Sequence, residues 1–509
     1  MNTVNLSNLL EYAAFRAPQS VYINDGESRL TFQETDIAAQ RVATVLNSLQ
    51  VRPGDRVALL LPNVSLFPVS YYGILKMGAI PVPLNPLSSG SEIGRYLEDS
   101  GAVALISLTT LAEKAVSGFE ESDRCRNLLL AASSQEDVPV PPGALRLESL
   151  LEKADGHFAT APTAPDSQAL FLYTSGSEGK PKGSVLTHGN YVFSSHLLAR
   201  DIWHLTPSDT ILLVPPASHV FGQVLINVAC TARAELRMMS RFSPEALMRS
   251  IEQDKVTFIA GVPALGNLFL RWPKTSQFDL SSLRQIMLSG APVPSELAEE
   301  LKKNLSVDVT IGYGMTEAVP ISFLTSDMVD SPTASCGYPV FATQVRVVDE
   351  EDHPVPAGDP GEIVIRGPQV FTGYHNLPDA TQNALRNGWF HTGDIGRFDE
   401  AGHLYVMDRL KDLIKTSGYS VYPAEVERVL YGFPSVVEAA VIGKPHETRG
   451  EEVAAFVALR PGSETSVTEL MAHCRANLSS YKCPRSVKIL ESLPKNTTGK
   501  ILKRQLQDG

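Results

Sequence analysis

The segment LYTSGSEGKPKGSVLTHGN, residues 172 to 190, combines flexible, hydroxyl-rich backbone with two lysines. Backbone N–H groups and hydroxyls donate hydrogen bonds to anionic oxygens, and a lysine adds a point charge. A polyphosphate is therefore one candidate ligand. The other interpretation is an ordinary surface loop, because Gly, Ser and Pro are common turn residues and lysines favour water. The segment alone does not decide between the two.

The loop does not follow the common triphosphate-binding pattern, G-x-x-x-x-G-K-[ST], which leads directly into a helix. In that pattern a second glycine stands five residues after the first. Here Pro181 stands five residues after Gly176, and Ser184 stands five residues after Gly179. Pro181, between the two lysines, also disfavours an uninterrupted helix through them. If the loop binds phosphate, it does so with another geometry.

A second segment, GYGMTEA (312–318), follows the predicted strand VDVTI and places three kinds of functional group within five residues. Tyr313 could stack on a base, Thr316 could donate to a phosphate and Glu317 could hold a divalent cation. The alternative is a Gly-rich turn with a buried tyrosine.

Three further segments carry charged groups. WFHTGDIG (389–396) places Asp394 in a predicted turn, where its carboxylate could accept both hydroxyls of a ribose; an ordinary Asx-turn is the alternative. DRLKDLIKTSGYSVYPAEVE (408–427) is a charged segment between two folding patterns, or a solvated linker. LPKNTTGKILKRQL (493–506) presents Lys500 after a Thr-Thr-Gly loop, or forms a frayed basic tail.

In this order, TSGSEGKPKG, GYGMTE, HTGD, DRLKDLIKTSGY and PKNTTGK resemble the motifs of the adenylate-forming (AMP-binding) superfamily. That superfamily comprises acyl-CoA synthetases, peptide-synthetase adenylation domains and luciferases. The resemblance extends from about residue 10 to residue 506, and the ordered set of motifs is highly specific. It points to the acyl-CoA synthetase branch, with fatty-acyl or aryl substrates.

The resemblance implies an α/β fold with two domains. Residues 1–408 would form a large N-terminal AMP-binding domain of parallel α/β subdomains plus a β-rich subdomain. Residues 409–509 would form a small, mobile α+β domain, with a hinge near 408–411. Rotation of the small domain would separate adenylate formation from thioester formation, a closure mechanism of a kind that often limits turnover.

The resemblance also implies a role for individual residues. The loop from Thr174 to Lys182 would wrap the β- and γ-phosphates of ATP, Asp394 would hold the ribose, and Lys500 would bridge the carboxylate and the α-phosphate. The residues assigned to ATP and CoA are Thr174, Ser175, Gly176, Ser177, Gly179, Lys182, Gly312, Tyr313, Gly314, Met315, Asp394, Arg409, Lys411, Lys415 and Gly418. The residues assigned to catalysis are Lys500, Thr316, Glu317 and His219, and those assigned to Mg²⁺ are Thr174 and Glu317.

Four of these assignments are more specific. By resemblance, Tyr313 would flank the adenine and Arg409 would support the ribose and phosphate region. Lys411 would occupy the hinge position, and Gly418 would line the pantetheine tunnel. The chemistry needs no protein nucleophile, because the substrate carboxylate attacks the α-phosphate; it needs charge neutralisation and alignment, supplied by Mg²⁺, Lys500 and the loop donors.

The segment PPASHVFGQVLIN (215–227) bears on the acid substrate. Adenylation domains that take α-amino acids carry an Asp on this helix, and here the segment contains no acid, which disfavours amino acids. His219, Gln223 and Asn227 share one helix face. We expect them to form a pocket wall; the alternative is a polar stripe that meets solvent or backbone. Fatty acids of medium or long chain are the first expectation and aryl acids the second.

Two departures from the family pattern concern the loop and the acceptor. Ser177-Glu178 stands where Thr-Thr is usual, and Ser184 replaces an aliphatic residue. The Ser-Glu version resembles some bacterial enzymes that load acyl carrier protein. We expect CoA as the acceptor, with carrier protein as the alternative. A luciferase-type enzyme would share every ATP motif, whereas a serine hydrolase is disfavoured because G-x-S-x-G does not occur.

Composition excludes other classes. A net charge of −12 over 509 residues disfavours broad nucleic-acid binding. Five scattered cysteines without C-x-x-C suit a reducing compartment and disfavour a disulfide framework or a zinc site. Residues 211–232 lack charge, but Pro215-Pro216 and several polar residues disfavour a membrane span. We therefore expect a cytoplasmic protein without a signal peptide or transmembrane segment, as a monomer or homodimer.

The elements that must position these residues follow from the hydrophobic pattern. Short apolar runs alternate with helix-spaced segments through the first three hundred residues, which predicts a largely parallel sheet. The runs predicted as strands are 56–62, 102–108, 210–216, 256–263 and 284–292, and the predicted helices include 31–49 and 294–305. From about residue 335, strands separated by Gly, Pro and Asp predict a β-rich subdomain. A new α+β pattern begins after Asp408.

Overall fold

The computed structural model describes residues 3–132, 139–174, 181–325, 328, 335–417, 419–460, 462–495 and 501–507. The chain divides into two compact units. The first consists of Met1–Thr333, Pro339–Gln344 and Arg366–Gly388, and the second of Ala334–Tyr338, Val345–Ile365 and Trp389–Gly509. These bounds differ from those of the predicted domains, since β-rich residues before 408 group with the C-terminal residues. The predicted hinge near 408–411 lies within the second unit and stays a prediction.

Most α-helices of the described residues lie in the first unit, and the last two lie in the second. In chain order they are α1 (Asn8–Arg16), α2 (Phe32–Ser48), α3 (Leu66–Lys76), α4 (Gly90–Ser100), α5 (Ala112–Glu120), α6 (Leu147–Leu151), α7 (His188–His196), α8 (Val220–Ala232), α9 (Pro244–Asp254), α10 (Pro263–Arg271), α11 (Ser295–Leu305), α12 (Pro378–Ala384), α13 (Pro423–Tyr431) and α14 (Val467–Asn477).

The strands alternate with these helices in the first unit and dominate the second. They are β1 (Val21–Asn24), β2 (Arg29–Thr31), β3 (Arg56–Leu60), β4 (Ile80–Pro83), β5 (Ala102–Leu108), β6 (Asn127–Ala131), β7 (Ala144–Arg146), β8 (Gln168–Thr174), β9 (Lys182–Thr187), β10 (Thr210–Leu213), β11 (Glu235–Met238), β12 (Phe258–Gly261), β13 (Gln285–Leu288), β14 (Asp308–Met315), β15 (Ala318–Leu324), β16 (Tyr338–Pro339), β17 (Gln344–Val348), β18 (Gly361–Arg366), β19 (Gly373–Tyr374), β20 (Phe390–Phe398), β21 (Leu404–Arg409), β22 (Ile414–Thr416), β23 (Tyr419–Val421), β24 (Val436–His446), β25 (Gly450–Leu459) and β26 (Ser486–Leu490).

Three sheets build the first unit. One runs β2-β1-β11-β10-β12-β13-β14-β15 and is parallel except at β1–β2 and β14–β15. The second, β4-β3-β5-β6-β7, is parallel throughout. The third, β19-β9-β8, is antiparallel. The predicted parallel α/β architecture is confirmed, since apolar strands alternate with helices that cover the sheets.

Local sequence signals account for the main helices. Thr31 caps α2, with its side chain accepting from the backbone N–H of Glu34 while the Glu34 carboxylate accepts from the backbone N–H of Thr31. This reciprocal arrangement satisfies two amides at the start of the helix. Pro294 directly precedes α11, where its fixed φ suits the helix entry. Both predicted helices agree with the structure to within one residue at each end, and the residues in excess are those that flank the helices.

The second unit contains two sheets. The antiparallel sheet β17-β18-β20-β21 confirms the predicted β-rich segment. The other sheet, β23-β22-β25-β24 with β26 parallel to β25, packs against α13 and α14 and matches the predicted α+β pattern. Its buried residues form a core that includes Val426, Leu430 and Leu470. No helix among the described residues is both long and apolar enough to cross a bilayer.

An ionic cluster connects distant parts of the second unit. Lys503 Nζ lies 2.8 Å from a carboxylate oxygen of Glu427 on α13, and the same oxygen accepts from the backbone N–H of Val441 at 2.7 Å. Asp408, at the end of β21, accepts from the backbone N–H of Ala424 at 2.7 Å. Burial opposes the charge of Lys503, but Glu427 and Asp408 outweigh it and the pKa of Lys503 is raised. The cluster therefore ties β21, α13 and the residues around 503 together.

Candidate active site

The β8–β9 hairpin carries the two ends of the predicted phosphate loop. Thr174 ends β8 and Lys182 begins β9, and the two residues are direct partners in the antiparallel ladder. The hydroxyl of Thr174 donates to the backbone carbonyl of Lys182 at 3.3 Å. The hairpin therefore brings a hydroxyl and a lysine together at the point where the loop leaves and re-enters the sheet.

Several predicted site residues lie outside the described residues. They are Ser175, Gly176, Ser177 and Gly179 of the loop, together with Glu178, and Gly418 and Lys500 of the second unit. Their predicted roles stay predictions. The described residues on either side of the loop, Thr174 and Lys182, fix where it begins and ends.

The GYGMTE segment is less of a turn than the sequence suggests. We predicted a strand that ends before Gly312, but β14 continues through Met315 because β15 pairs with it, Met315 facing Ala318. Thr316 and Glu317 make the connection between these antiparallel strands, and both are half-buried. Gly312 serves packing in this strand, since a Cβ at that position would lie 2.5 Å from a ring carbon of Phe323.

The other two residues of this segment keep their predicted roles as predictions. Tyr313 pairs with Ser322 in the β14–β15 ladder and is half-buried. A Cβ on Gly314 would meet a methyl group of Val319 at 3.3 Å, which is a tight contact. The backbone is therefore closely packed just before Thr316.

Tyr374 connects the hairpin to Glu317. Its hydroxyl donates to Glu317 Oε1 at 3.0 Å, and Lys182 Nζ lies 5.3 Å from the centre of its ring. Three residues that are far apart in the sequence thus meet in the first unit: Lys182, Glu317 and Tyr374. Tyr374 was not predicted, because GYHN (373–376) carries no motif with a recognised chemical role of its own.

In the second unit, Asp394 and Arg409 form an ion pair. They are direct partners between β20 and β21, with 2.6 Å between Arg409 Nε and Asp394 Oδ1. The side chain of Asp394 is 6% exposed and that of Arg409 is 40% exposed. The prediction that Asp394 lies in a turn is wrong: it lies within β20, because β18 and β21 pair with that strand on either side.

A half-buried carboxylate, that of Glu362, orders the backbone before Asp394. Glu362 Oε1 accepts from the backbone N–H of Gly393 at 3.0 Å, and Glu362 Oε2 lies 2.9 Å from His391 Nδ1. Gly393 has a φ of +69°, which a glycine adopts at low cost. The Thr392 hydroxyl then accepts from the backbone N–H of Asp394 at 3.0 Å. Glu362 and His391 were not predicted, although HTGD and the adjacent strand GEIVIRG contain them.

The remaining charged residues lie after β21. Lys411 is exposed within a short 3₁₀ segment, Leu410–Asp412. Lys415 is exposed on β22, and its backbone N–H donates to Glu451 Oε2 at 2.7 Å. Their assignment to the hinge and to CoA stays a prediction.

Helix α8 corrects one expectation. His219 is exposed and caps the helix, with Nδ1 accepting from the backbone N–H of Phe221 at 3.2 Å. Gln223 and Asn227 are fully buried. Asn227 Nδ2 donates to the backbone carbonyl of Gln223 and to the Tyr71 hydroxyl, and its Oδ1 accepts from Tyr72. Asn227 therefore serves the interior between α8 and α3 and not a pocket wall, because α3 supplies its partners.

The groups present suit Mg²⁺ bound together with a triphosphate. Among the described residues, no cluster of three or more His, Cys, Asp or Glu side chains is arranged to hold a metal by itself. Mg²⁺ is usually held by one or two carboxylates plus substrate phosphates and water. Glu317 offers such a carboxylate, which is held by the Tyr374 hydroxyl, so the donor set fits an ion that arrives with ATP.

The chain is similar to known enzymes over nearly its whole length. The family described as AMP-binding enzyme matches residues 10–375, and the AMP-binding enzyme C-terminal domain matches residues 425–500. A feruloyl-CoA synthase from Amycolatopsis sp is 37% identical over 496 residues, covering 96% of this chain and 96% of the relative. The long-chain-fatty-acid–CoA ligase of Bacillus subtilis (strain 168) is 32% identical over 526 residues, covering 98% of this chain and 94% of the relative.

Solved structures show the same fold. The crystal structure of an anthranilate–CoA ligase in complex with anthranoyl-AMP is similar with a TM-score of 0.91 at 26% identity, covering 99% of this chain and 97% of that one. The predicted fold class and the predicted resemblance are both confirmed. With a family match over most of its length and full-length relatives that are acid–CoA ligases, this chain belongs to the AMP-binding enzyme family.

Proposed function

We propose that the protein activates a carboxylic acid with Mg·ATP to an acyl-adenylate and transfers the acyl group to CoA. The observation that carries the proposal is that Lys182 and Glu317 both contact Tyr374 in the first unit, while Thr174 faces Lys182 across the hairpin. A hydroxyl, an ammonium group and a carboxylate are the groups that a metal-bound triphosphate requires. The buried Asp394 carboxylate, held by Arg409, supports ribose binding in the second unit.

The chemistry has two steps. In the first, a carboxylate oxygen of the acid attacks the α-phosphorus of ATP and pyrophosphate leaves. In the second, the CoA thiol attacks the carbonyl carbon of the adenylate, loses its proton and releases AMP. The chain's groups align and neutralise charge: Lys182 and the loop hold the outer phosphates, and Lys500 meets the carboxylate and the α-phosphate. Mg²⁺, when bound, would neutralise phosphate charge as a Lewis acid.

The acid is proposed to be a fatty acid of medium or long chain. The absence of an acidic side chain from residues 215–227 supports an uncharged acyl group over an α-amino acid. The similarity to a feruloyl-CoA synthase makes an aryl acid the second candidate. CoA is the proposed acceptor over acyl carrier protein, and a cytoplasmic monomer or homodimer is the proposed form.

Pyrophosphate exchange into ATP over a panel of fatty, aryl and amino acids tests the proposal. We expect exchange with at least one fatty or aryl acid, dependence on Mg²⁺, and none with amino acids. With CoA added, the products are AMP, pyrophosphate and acyl-CoA. Release of ADP and orthophosphate, or no exchange with any acid, would overturn the proposal. An acyl-adenylate that transfers to carrier protein and not to CoA would overturn the choice of acceptor.

A further inference from the structure

The backbone around Tyr374 is fixed to the predicted phosphate hairpin. Gly373 and Tyr374 form β19 and pair antiparallel with Val185 and Ser184 of β9. On either side, the backbone N–H of Thr372 donates to Val185 at 3.1 Å and that of His375 donates to Gly183 at 2.8 Å. The backbone of Tyr374 therefore keeps a fixed position relative to the β9 strand that begins at Lys182.

The same backbone is also fixed to the connection that carries Glu317. The backbone N–H of Phe371 donates to the backbone carbonyl of Glu317 at 2.8 Å, and Val370 forms a bridge with Ala318. The Phe371 ring packs edge-on against the Tyr374 ring, with 4.9 Å between their centres. Residues 370–375, which we call the connecting segment, thus hold the hairpin and the Glu317 connection in one register.

The hydroxyl and the ring of Tyr374 each contact a different charged residue. The hydroxyl donates to Glu317 Oε1 at 3.0 Å, which constrains the orientation of that carboxylate. The ring lies 5.3 Å from the ammonium group of Lys182, within the range of a cation–π contact. A carboxylate and an ammonium group of opposite charge are therefore both oriented by a single residue.

We propose that Tyr374 is a positioning residue for the adenylation step, and this rests on the proposed function. Its hydroxyl orients the Glu317 carboxylate toward the metal side of the triphosphate. Its ring holds Lys182 toward the phosphate oxygens. Tyr374 acts through these two groups and does not itself contact the reacting atoms.

Two substitutions separate the two actions. Tyr374→Phe removes the hydroxyl and keeps the ring, whereas Tyr374→Leu removes both. Two binding measurements serve as readouts. Water-proton relaxation measures the binding of Mn²⁺ to the enzyme in the presence of a non-hydrolysable ATP analogue. Calorimetry measures the binding of the same analogue without metal. Tyr405→Phe is the matched control, because the Tyr405 hydroxyl donates to the Asp399 carboxylate at 3.1 Å in the second unit.

We expect Tyr374→Phe to weaken Mn²⁺ binding about tenfold, the scale for one hydrogen bond to a charged group. Metal-free binding of the analogue should stay within about twofold of the unsubstituted protein, the precision needed to separate the two actions. Tyr374→Leu should weaken both measurements, since Lys182 also loses its contact. Tyr405→Phe should change neither. Mn²⁺ binding by Tyr374→Phe that equals that of the unsubstituted protein would overturn the proposal.

A further substitution guards against loss of folding. Thr381→Val removes the hydroxyl that accepts from the backbone N–H of Tyr374 at 2.9 Å and leaves Tyr374, Glu317 and Lys182 in place. We expect a smaller loss of Mn²⁺ binding in the same direction, and unchanged binding in this folded variant would also overturn the proposal. If the unsubstituted protein binds no ATP analogue and supports no exchange, the proposed function fails instead, and the two failures are distinguishable.

Discussion

At the residue scale, the pair between Asp394 and Arg409 explains how the sheet accommodates a nearly buried carboxyl group. A carboxylate taken from water is costly unless a cation and hydrogen bonds replace its hydration. Arg409 supplies the cation at 2.6 Å, and the register of β20 against β21 places it there. The guanidinium is planar and permanently charged, which suits it to this task more than lysine.

We therefore predict that Arg409→Leu weakens ATP binding about tenfold, the scale of one lost charged interaction. Without the arginine, the Asp394 carboxylate loses the cation that orients it, so its contact with the ribose should weaken. Calorimetric titration with ATP measures this. Arg397→Leu is the matched control, since Arg397 lies in the same sheet and stacks on Tyr405. Equal ATP binding by both variants would contradict the assignment of Asp394 to the ribose.

Residues that belong to recognisable motifs could be predicted from the sequence. Residues that contact and orient those motif residues could not. Thr174, Glu317 and Asp394 were predicted because their motifs are distinctive. Tyr374 and Glu362 were not, because each lies in an ordinary strand pattern and acquires its contact only when a distant strand pairs with it. Such contacts depend on which distant strand pairs with the segment, and the residues of the segment alone do not show that.

At the element scale, helix α7 begins on a buried histidine. His188 Nδ1 accepts from the backbone N–H of Leu6 at 3.0 Å, and burial lowers the pKa of His188 from 6.5 to about 4. In the unfolded chain, the imidazole of His188 takes up a proton as the pH falls below 6.5. In the folded chain it does so only near pH 4. The stability that His188 contributes is therefore present above pH 6.5 and is lost between pH 6.5 and pH 4.

We predict that this one residue accounts for a loss of about 3 kcal/mol in the free energy of unfolding across that window. His188→Gln should flatten the pH dependence between pH 6.5 and pH 4 by this amount. Urea unfolding at several pH values measures the difference. His157→Gln, at an exposed position, is the control. A slope for His188→Gln equal to that of the unsubstituted protein would refute the account.

The elements themselves were largely predictable, since apolar runs with strand length alternate with helix-spaced segments. β5 matches its prediction at both ends. The misses have a tertiary cause. β14 extends beyond its apolar run because β15 pairs with the Gly-rich residues that follow. The polar residues of α8 are buried because the hydroxyls of Tyr71 and Tyr72 on α3 meet Asn227 there.

At the scale of the whole molecule, the proposed function requires two half-reactions that use different residues. By resemblance, Lys500 serves adenylation and Gly418 serves thioester formation, and both lie outside the described residues. Lys500→Ala should slow pyrophosphate exchange by about two to three orders of magnitude, the scale of one lost transition-state donor. It should leave thioester formation from a supplied acyl-adenylate nearly intact, because the resemblance implies that the small domain would have rotated by then.

Gly418→Leu should behave in the opposite way, since a side chain would obstruct pantetheine without approaching ATP. Lys495→Ala is the control within the same segment as Lys500; its ammonium group pairs with Glu438. Both half-reactions are measured separately on each folded variant. If Lys500→Ala and Gly418→Leu lose both half-reactions equally, the alternation of domains does not apply to this chain. If Lys500→Ala loses nothing, the segment is a tail without a catalytic role.

The ionic cluster of the second unit has a consequence for recombination between relatives. Lys503 and Glu427 are separated by 76 residues in the sequence yet lie 2.8 Å apart. A chimera joined between them would inherit the two partners from different parents, and a parent without the matching charge would leave the half-buried Glu427 carboxylate without its cation. Breaking a fully buried pair costs about 3–5 kcal/mol, and this half-buried pair should cost less. Crossover points for exchanging acid specificity therefore belong before Leu404, so that β21, α13 and Lys503 are inherited together.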